Sequence, residues 1–77
     1  MKVWEKKYNN HLIRIENYWN KEILLVDGEI QDETYGLTSR AKLIGKLPSG
    51  EEIKVNLGGN FSIDCILFID NKKISLS

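Results

Sequence analysis

Residues 37–57, "LTSRAKLIGKLPSGEEIKVNL", hold two alternating runs joined by a turn, an arrangement that leaves few folds open. In the first run Leu37, Ser39, Ala41, Leu43, Gly45 and Leu47 share one side, opposite Thr38, Arg40, Lys42, Ile44 and Lys46. In the second, Ile53, Val55 and Leu57 stand opposite Lys54 and Asn56. A period of two sends successive side chains to opposite faces of a strand, so each run reads as a strand with one face in a core and one in water. Between the runs, Pro48 sets φ for the first central position of a type I turn and Ser49 takes the second. Gly50 then supplies the left-handed residue of a G1 bulge.

The rest of the chain follows the same rule. "LIRIEN" sets Leu12, Arg14 and Glu16 against Ile13 and Ile15. Asn9-Asn10, Asp27-Gly28 and Asp70-Asn71 are dipeptides that tolerate the positive φ of a type I′ hairpin turn, and Gly58-Gly59-Asn60 marks another bend. The spacing predicts about eight strands, over 2–8, 11–17, 22–27, 29–34, 37–47, 51–57, 61–70 and 73–76. No helix or linker is expected; Ala41 is the only alanine, whereas helices favour that residue. Residues 1–77 are therefore expected to form one small all-β domain, an antiparallel meander. Burying one face of a meander requires two packed sheets or a closed barrel. The expected fold is a β-sandwich, with a small closed barrel as the alternative.

The pattern also occurs twice. "LIRIENYWNKEILLVDGEI" aligns with "EIKVNLGGNFSIDCILFIDNKKI", matching Ile13 to Ile53, Ile15 to Val55, Ile23 to Ile66 and Asp27 to Asp70. Each half reads as an alternating strand, a bend, a continuous apolar strand and an Asp-led turn. Apolar runs without alternation, "ILLV" and "ILFI", suit strands covered on both faces.

This order of pieces resembles the Fas apoptosis inhibitory molecule family. The matching residues are His11-Leu12-Ile13-Arg14-Ile15, Leu25-Val26-Asp27-Gly28, Lys42-Leu43-Ile44-Gly45-Lys46 and Leu67-Phe68-Ile69-Asp70-Asn71. The resemblance spans most of residues 11 to 76. It implies a compact antiparallel β-sandwich and a non-enzymatic intracellular protein that acts through protein contacts. Two features depart from the family: its animal members join two such domains, and its Trp between the second and third motifs is missing here.

Composition narrows the chemistry. Eleven basic and eleven acidic residues cancel, which places nucleic acid below protein as the expected partner. The start lacks an apolar segment of signal-peptide length and no run approaches a membrane span, so the expected location is cytoplasmic. The Ile, Lys and Asn bias fits a low-GC bacterial or phage gene. One Cys and one His cannot close a four-coordinate zinc site, and no Gly-Lys-Ser/Thr phosphate loop exists. No metal, cofactor or catalytic residue is therefore assigned. Cys65 reads as a buried, inert thiol, and His11 as a polar side chain flanking a turn. Asp27, Glu29 and Glu33 would share one strand face with Asp32 on the other, a charged strand that resists edge-to-edge pairing.

The aromatic residues are the remaining candidates. Trp4 and Tyr8 share a face of the first strand, and Tyr18-Trp19 fill the bend where the second copy has Gly58-Gly59. Tyr18, Trp19, Trp4 and Tyr8 are the predicted protein-binding residues, acting in a small adaptor- or inhibitor-type interaction module. Its partner is another protein or a second copy as a homodimer, reached through aromatic loop residues or an edge strand. The alternative is a single-stranded nucleic-acid-binding small β-barrel.

Overall fold

The computed structural model describes residues 1–36, 40–59 and 62–76, and within them the chain reverses at the predicted dipeptides. Asn9, Asn10, Asp27, Asp70 and Asn71 take φ of 48°, 64°, 51°, 49° and 65°, the left-handed region that a type I′ hairpin turn requires. At the Pro48-Ser49 turn, the Gly50 N–H donates to the Leu47 carbonyl and the Leu47 N–H to the Glu51 carbonyl, each at 2.9 Å. Gly50 has φ 103°, which completes the expected G1 bulge.

The strands are β1 (Lys2–Tyr8), β2 (His11–Asn17), β3 (Lys21–Val26), β4 (Glu29–Tyr35), β5 (Arg40–Lys46), β6 (Glu52–Gly58), β7 (Asp64–Ile69) and β8 (Lys72–Ile74). They form two antiparallel four-stranded meanders, β1-β2-β3-β4 and β5-β6-β7-β8. β1 and β8 do not pair, so the described residues form a sandwich and not a closed barrel. The expected strand residues Leu37, Thr38, Ser39 and Phe61, and Asn60 of the predicted bend, lie outside the described residues. Among those described, no helix is long and apolar enough to cross a membrane.

One buried cluster joins the sheets. Ile13 and Ile15 of β2, Leu24 of β3, Leu43 of β5, Ile53 and Val55 of β6 and Leu67 of β7 are all wholly inaccessible to solvent. Each such side chain contributes about 1.5–3 kcal/mol through removal from water.

The repeat is present in register as well as in sequence. Ile13 faces Val26 as Ile53 faces Ile69, and Glu16 faces Ile23 as Asn56 faces Ile66. Both hairpins are pinned in the same way. Asp27 Oδ1 accepts the Leu12 N–H at 2.9 Å, and Asp70 Oδ1 accepts the Glu52 N–H at 2.9 Å. Each Asp N–H also donates to the carbonyl of that same partner, at 2.9 Å.

Two expectations need correction. Asp27, Glu29 and Glu33 do not share a face: Asp27 sits in the turn, and a bulge follows in β4. Leu25 pairs with Ile30 and Leu24 with Asp32, which leaves Gln31 over and reverses the alternation, so Glu29 and Glu33 fall on opposite sides. Nor are both apolar runs covered on both faces. Ile23 of β3 is 6% exposed, whereas Ile66, its counterpart in β7, is 38% exposed.

Candidate functional site

The predicted aromatic residues do not converge. Trp4 pairs across the ladder with buried Ile15, and Tyr8 with His11; both are half-buried and pack against the core. Trp19 stands 79% exposed in the turn between β2 and β3. Tyr18, next to it, lies on the outer face of the first sheet. Its hydroxyl donates to Glu16 Oε1 at 2.9 Å, and Lys21 Nζ sits 5.0 Å from its ring centroid.

Among the described residues, His11 and Asp27 form the arrangement that most resembles catalytic machinery. His11 Nδ1 lies 2.7 Å from Asp27 Oδ2. The Leu12 N–H, and then His11, hold the Asp27 carboxyl below the usual range. An oriented His needs a nucleophile beside it. The repeat supplies a control, because Asp70 makes the same backbone bond in the second hairpin with Glu51 where His11 stands. The shared task of the two carboxylates is to pin a hairpin. Cys65 is half-buried, less enclosed than expected, and burial pushes its thiol up to about 12. Among the described residues no three His, Cys, Asp or Glu side chains gather into a metal-holding group.

One buried carboxylate escaped the sequence reading. Glu22 is 3% exposed on the core side of β3, where the Thr34 hydroxyl donates to its Oε1 at 2.6 Å and the Asn17 amide to its Oε2 at 3.5 Å. Both partners lie on neighbouring strands, so nothing in the local sequence pattern marks it.

The outer faces of the two sheets differ most. On the first, Arg14 Nε donates to Glu16 Oε2 at 2.7 Å and its Nη1 to Glu5 Oε2 at 2.8 Å. Arg14 first, and then Tyr18, holds the Glu16 carboxyl below its ordinary range, while that carboxylate pushes the Tyr18 hydroxyl up. Glu16 and Glu33 flank Ile23 across the ladder, and the hydroxyls of Tyr18 and Tyr35 anchor them. This polar layer covers Ile23, while Val3 and Ile30 on the same face stay exposed.

Among the described residues the second sheet has no such network of carboxylates and phenols. Ile44 is 57% exposed and Ile66 is 38% exposed, with half-buried Phe68 on the same face. Arg40, Lys42, Lys46, Lys54 and Lys73 project from this face, against Glu52 and Asp64. Two shallow depressions, of about 560 and 380 Å³, run along it and share Lys42 and Asn56. The larger reaches Gly58, the position that Tyr18 fills in the first sheet. The sequence displayed the Tyr18-for-Gly58 difference but not its consequence, which depends on the shared register.

Comparison with protein-family models, curated proteins and solved structures finds no match to this chain.

Proposed function

We propose that this chain is a small non-enzymatic protein-interaction module whose contact surface is the outer face of β5–β8. The observation that carries this reading is the exposure of Ile44 and Ile66 beside Lys42 and Lys46, which form no ion pair among the described residues, whereas the exposed Val3 and Ile30 of the sister sheet lie beside the network of Arg14 with Glu5, Glu16 and Tyr18. An apolar centre within a polar rim is the usual anatomy of a protein contact.

Strand addition at a free edge fits less well. Lys6 lies on the core side of β1 between Trp4 and Tyr8, and β8 is only 3 residues long. An inward-pointing charge and a short edge strand both discourage edge pairing. The cations favour nucleic acid as a second reading, but the centre of the face is aliphatic apart from Phe68. Bases stack on aromatic rings, and Trp4, Tyr8, Tyr18 and Trp19 all lie on other surfaces. A cytoplasmic setting fits a chain whose single thiol is unpaired.

Capture from a cell extract, followed by mass spectrometry, tests the reading. The Ile44→Asp/Ile66→Asp double variant should keep its thermal unfolding cooperativity and lose the captured partner, while Trp19→Ala keeps it. An unchanged partner list for the double variant would rule this face out.

A further inference from the structure

The shared register lets the first sheet serve as a template for what the second lacks. Arg14 pairs with Glu5 across one ladder and Leu25 across the other; Lys54 pairs in the same way with Ile44 and Phe68. Lys54 thus stands where Arg14 does, Ile44 where Glu5 does and Asn56 where Glu16 does. Gly58, the last residue of β6, lies two residues after Asn56 as Tyr18 lies two residues after Glu16. In the first sheet the cation is held by two carboxylates, and one of these carries a tyrosine hydroxyl. In the second sheet both carboxylates and the phenol are absent together. Lys54 reaches only Glu52, at 3.6 Å, and the Asn71 side-chain oxygen, at 3.2 Å. Lys42, Lys46 and Lys73 form no ion pair among the described residues.

We propose that this face docks an acidic segment of a partner protein that bears an aromatic side chain. The segment supplies from outside the carboxylates and ring that Glu5, Glu16 and Tyr18 supply within the first sheet. Its carboxylates meet Lys42, Lys54 and Lys73, and its ring enters the depression beside Gly58, where no side chain of the described residues occupies the Tyr18 position. Charge complementarity argues for this occupant: the face carries four lysines, three of them in no ion pair among the described residues, against the carboxylates of Glu52 and Asp64, so an acidic segment is steered towards it and a basic one is repelled. The aliphatic centre, Ile44 and Ile66, gives the segment an apolar seat. This inference rests on the face being the protein-binding surface, and it adds the chemistry of the partner.

The test titrates the ¹⁵N-labelled chain with a blocked synthetic peptide of sequence Glu-Glu-Tyr-Glu-Glu. The expected result is a shift of the Lys42, Ile44, Lys54 and Ile66 amide signals, with those of Glu16 and Ile23 unmoved. Replacing the peptide's glutamates by glutamine should weaken binding about tenfold, and replacing its tyrosine by alanine should also weaken it. The Lys42→Glu/Lys54→Glu variant should instead prefer a Lys-Lys-Tyr-Lys-Lys peptide. Equal binding of the glutamine peptide, shifts confined to other surfaces, no shift at saturating peptide, or tighter binding of oligothymidylate at these amides would each overturn the proposal. A separate outcome isolates it from the reading above. If the Ile44→Asp/Ile66→Asp variant loses a captured partner whose docking segment is basic or uncharged, the acidic-segment proposal falls and the binding face stands.

Discussion

The carboxylate of Asp32 accepts the backbone N–H of Ile44 at 2.8 Å, so a side chain of one sheet closes the free edge of the other. Gln31 adds a second bond, accepting the Lys46 N–H at 3.3 Å. Both residues reach β5 because the bulge in β4 leaves Gln31 out of the ladder and turns the strand at that point. Edge N–H groups invite pairing with another chain, and here side-chain oxygens occupy them.

Removing that closure should have two effects. Asp32→Ala is expected to lower stability by about 1 kcal/mol, the usual worth of a hydrogen bond at a half-exposed site. It should also leave the β5 edge free to pair, so light scattering after size-exclusion chromatography should show self-association that rises with concentration. A strictly monomeric variant would remove the edge-protection role.

Gly45 lies between the two bonded residues. A Cβ there would sit 3.0 Å from Gln31 Cβ and 3.0 Å from Leu24 Cδ2, so the sheets meet at this point only because the position has no side chain. Gly45→Val should cost about 1–3 kcal/mol by overpacking, measured by urea unfolding. It should also increase hydrogen exchange at the Ile44 and Lys46 amides.

Three carboxyls that the folded state holds low should make the fold acid-sensitive. Asp27 is held below its ordinary range by the Leu12 N–H and then His11. Glu16 is held down by Arg14 and then Tyr18, and Glu51 by the Ser49 hydroxyl, its own backbone N–H and then Asn9. A depressed folded value means that each contributes stability above the unfolded carboxylate range, at about pH 4, and that this is lost as pH falls through the folded value. The urea midpoint should therefore drop on acidification from neutrality. Asp27→Asn should lower the midpoint at neutral pH and reduce its fall in acid.

Tyr18→Gly would give the first sheet the residue that the second sheet has at this position. Glu16 would lose its phenol donor and Ile23 its cover, so fluorescence of an apolar dye should rise while far-ultraviolet circular dichroism stays that of a β protein. Unchanged dye binding would mean that Tyr18 does not shield Ile23.

Cys65 should react slowly for a half-exposed thiol. Burial pushes it up to about 12 from an ordinary thiol value near 9, which leaves on the order of a thousandfold less thiolate at neutral pH. Labelling by a disulfide reagent should be slow in buffer and fast in denaturant.

The strands and turns were legible because period-two alternation and positive-φ dipeptides are local signals. The candidate site was less so. Trp4, Tyr8, Tyr18 and Trp19 are evident as aromatic residues, yet two of them back the core and one belongs to a polar layer. Ile66 and Phe68 read as doubly covered because an apolar run looks the same whether or not something lies over its outer side. The β4 bulge carries no Gly or other marker at Gln31, so the destination of Asp32 was hidden as well.

Alternation, turn chemistry and the repeated Asp-led hairpin are properties of neighbours along the chain, and they determined by themselves an all-β meander used twice. Which sheet keeps its cover and which edge is closed depend on contacts between residues far apart in sequence. Glu5 meets Arg14, Asp32 meets Ile44, and Gly58 brings no side chain where Tyr18 stands in the sister sheet. Only the tertiary register brings those groups within hydrogen-bonding distance, and so only the folded sandwich shows one outer face crossed by the Arg14 carboxylate network and one lined with lysines.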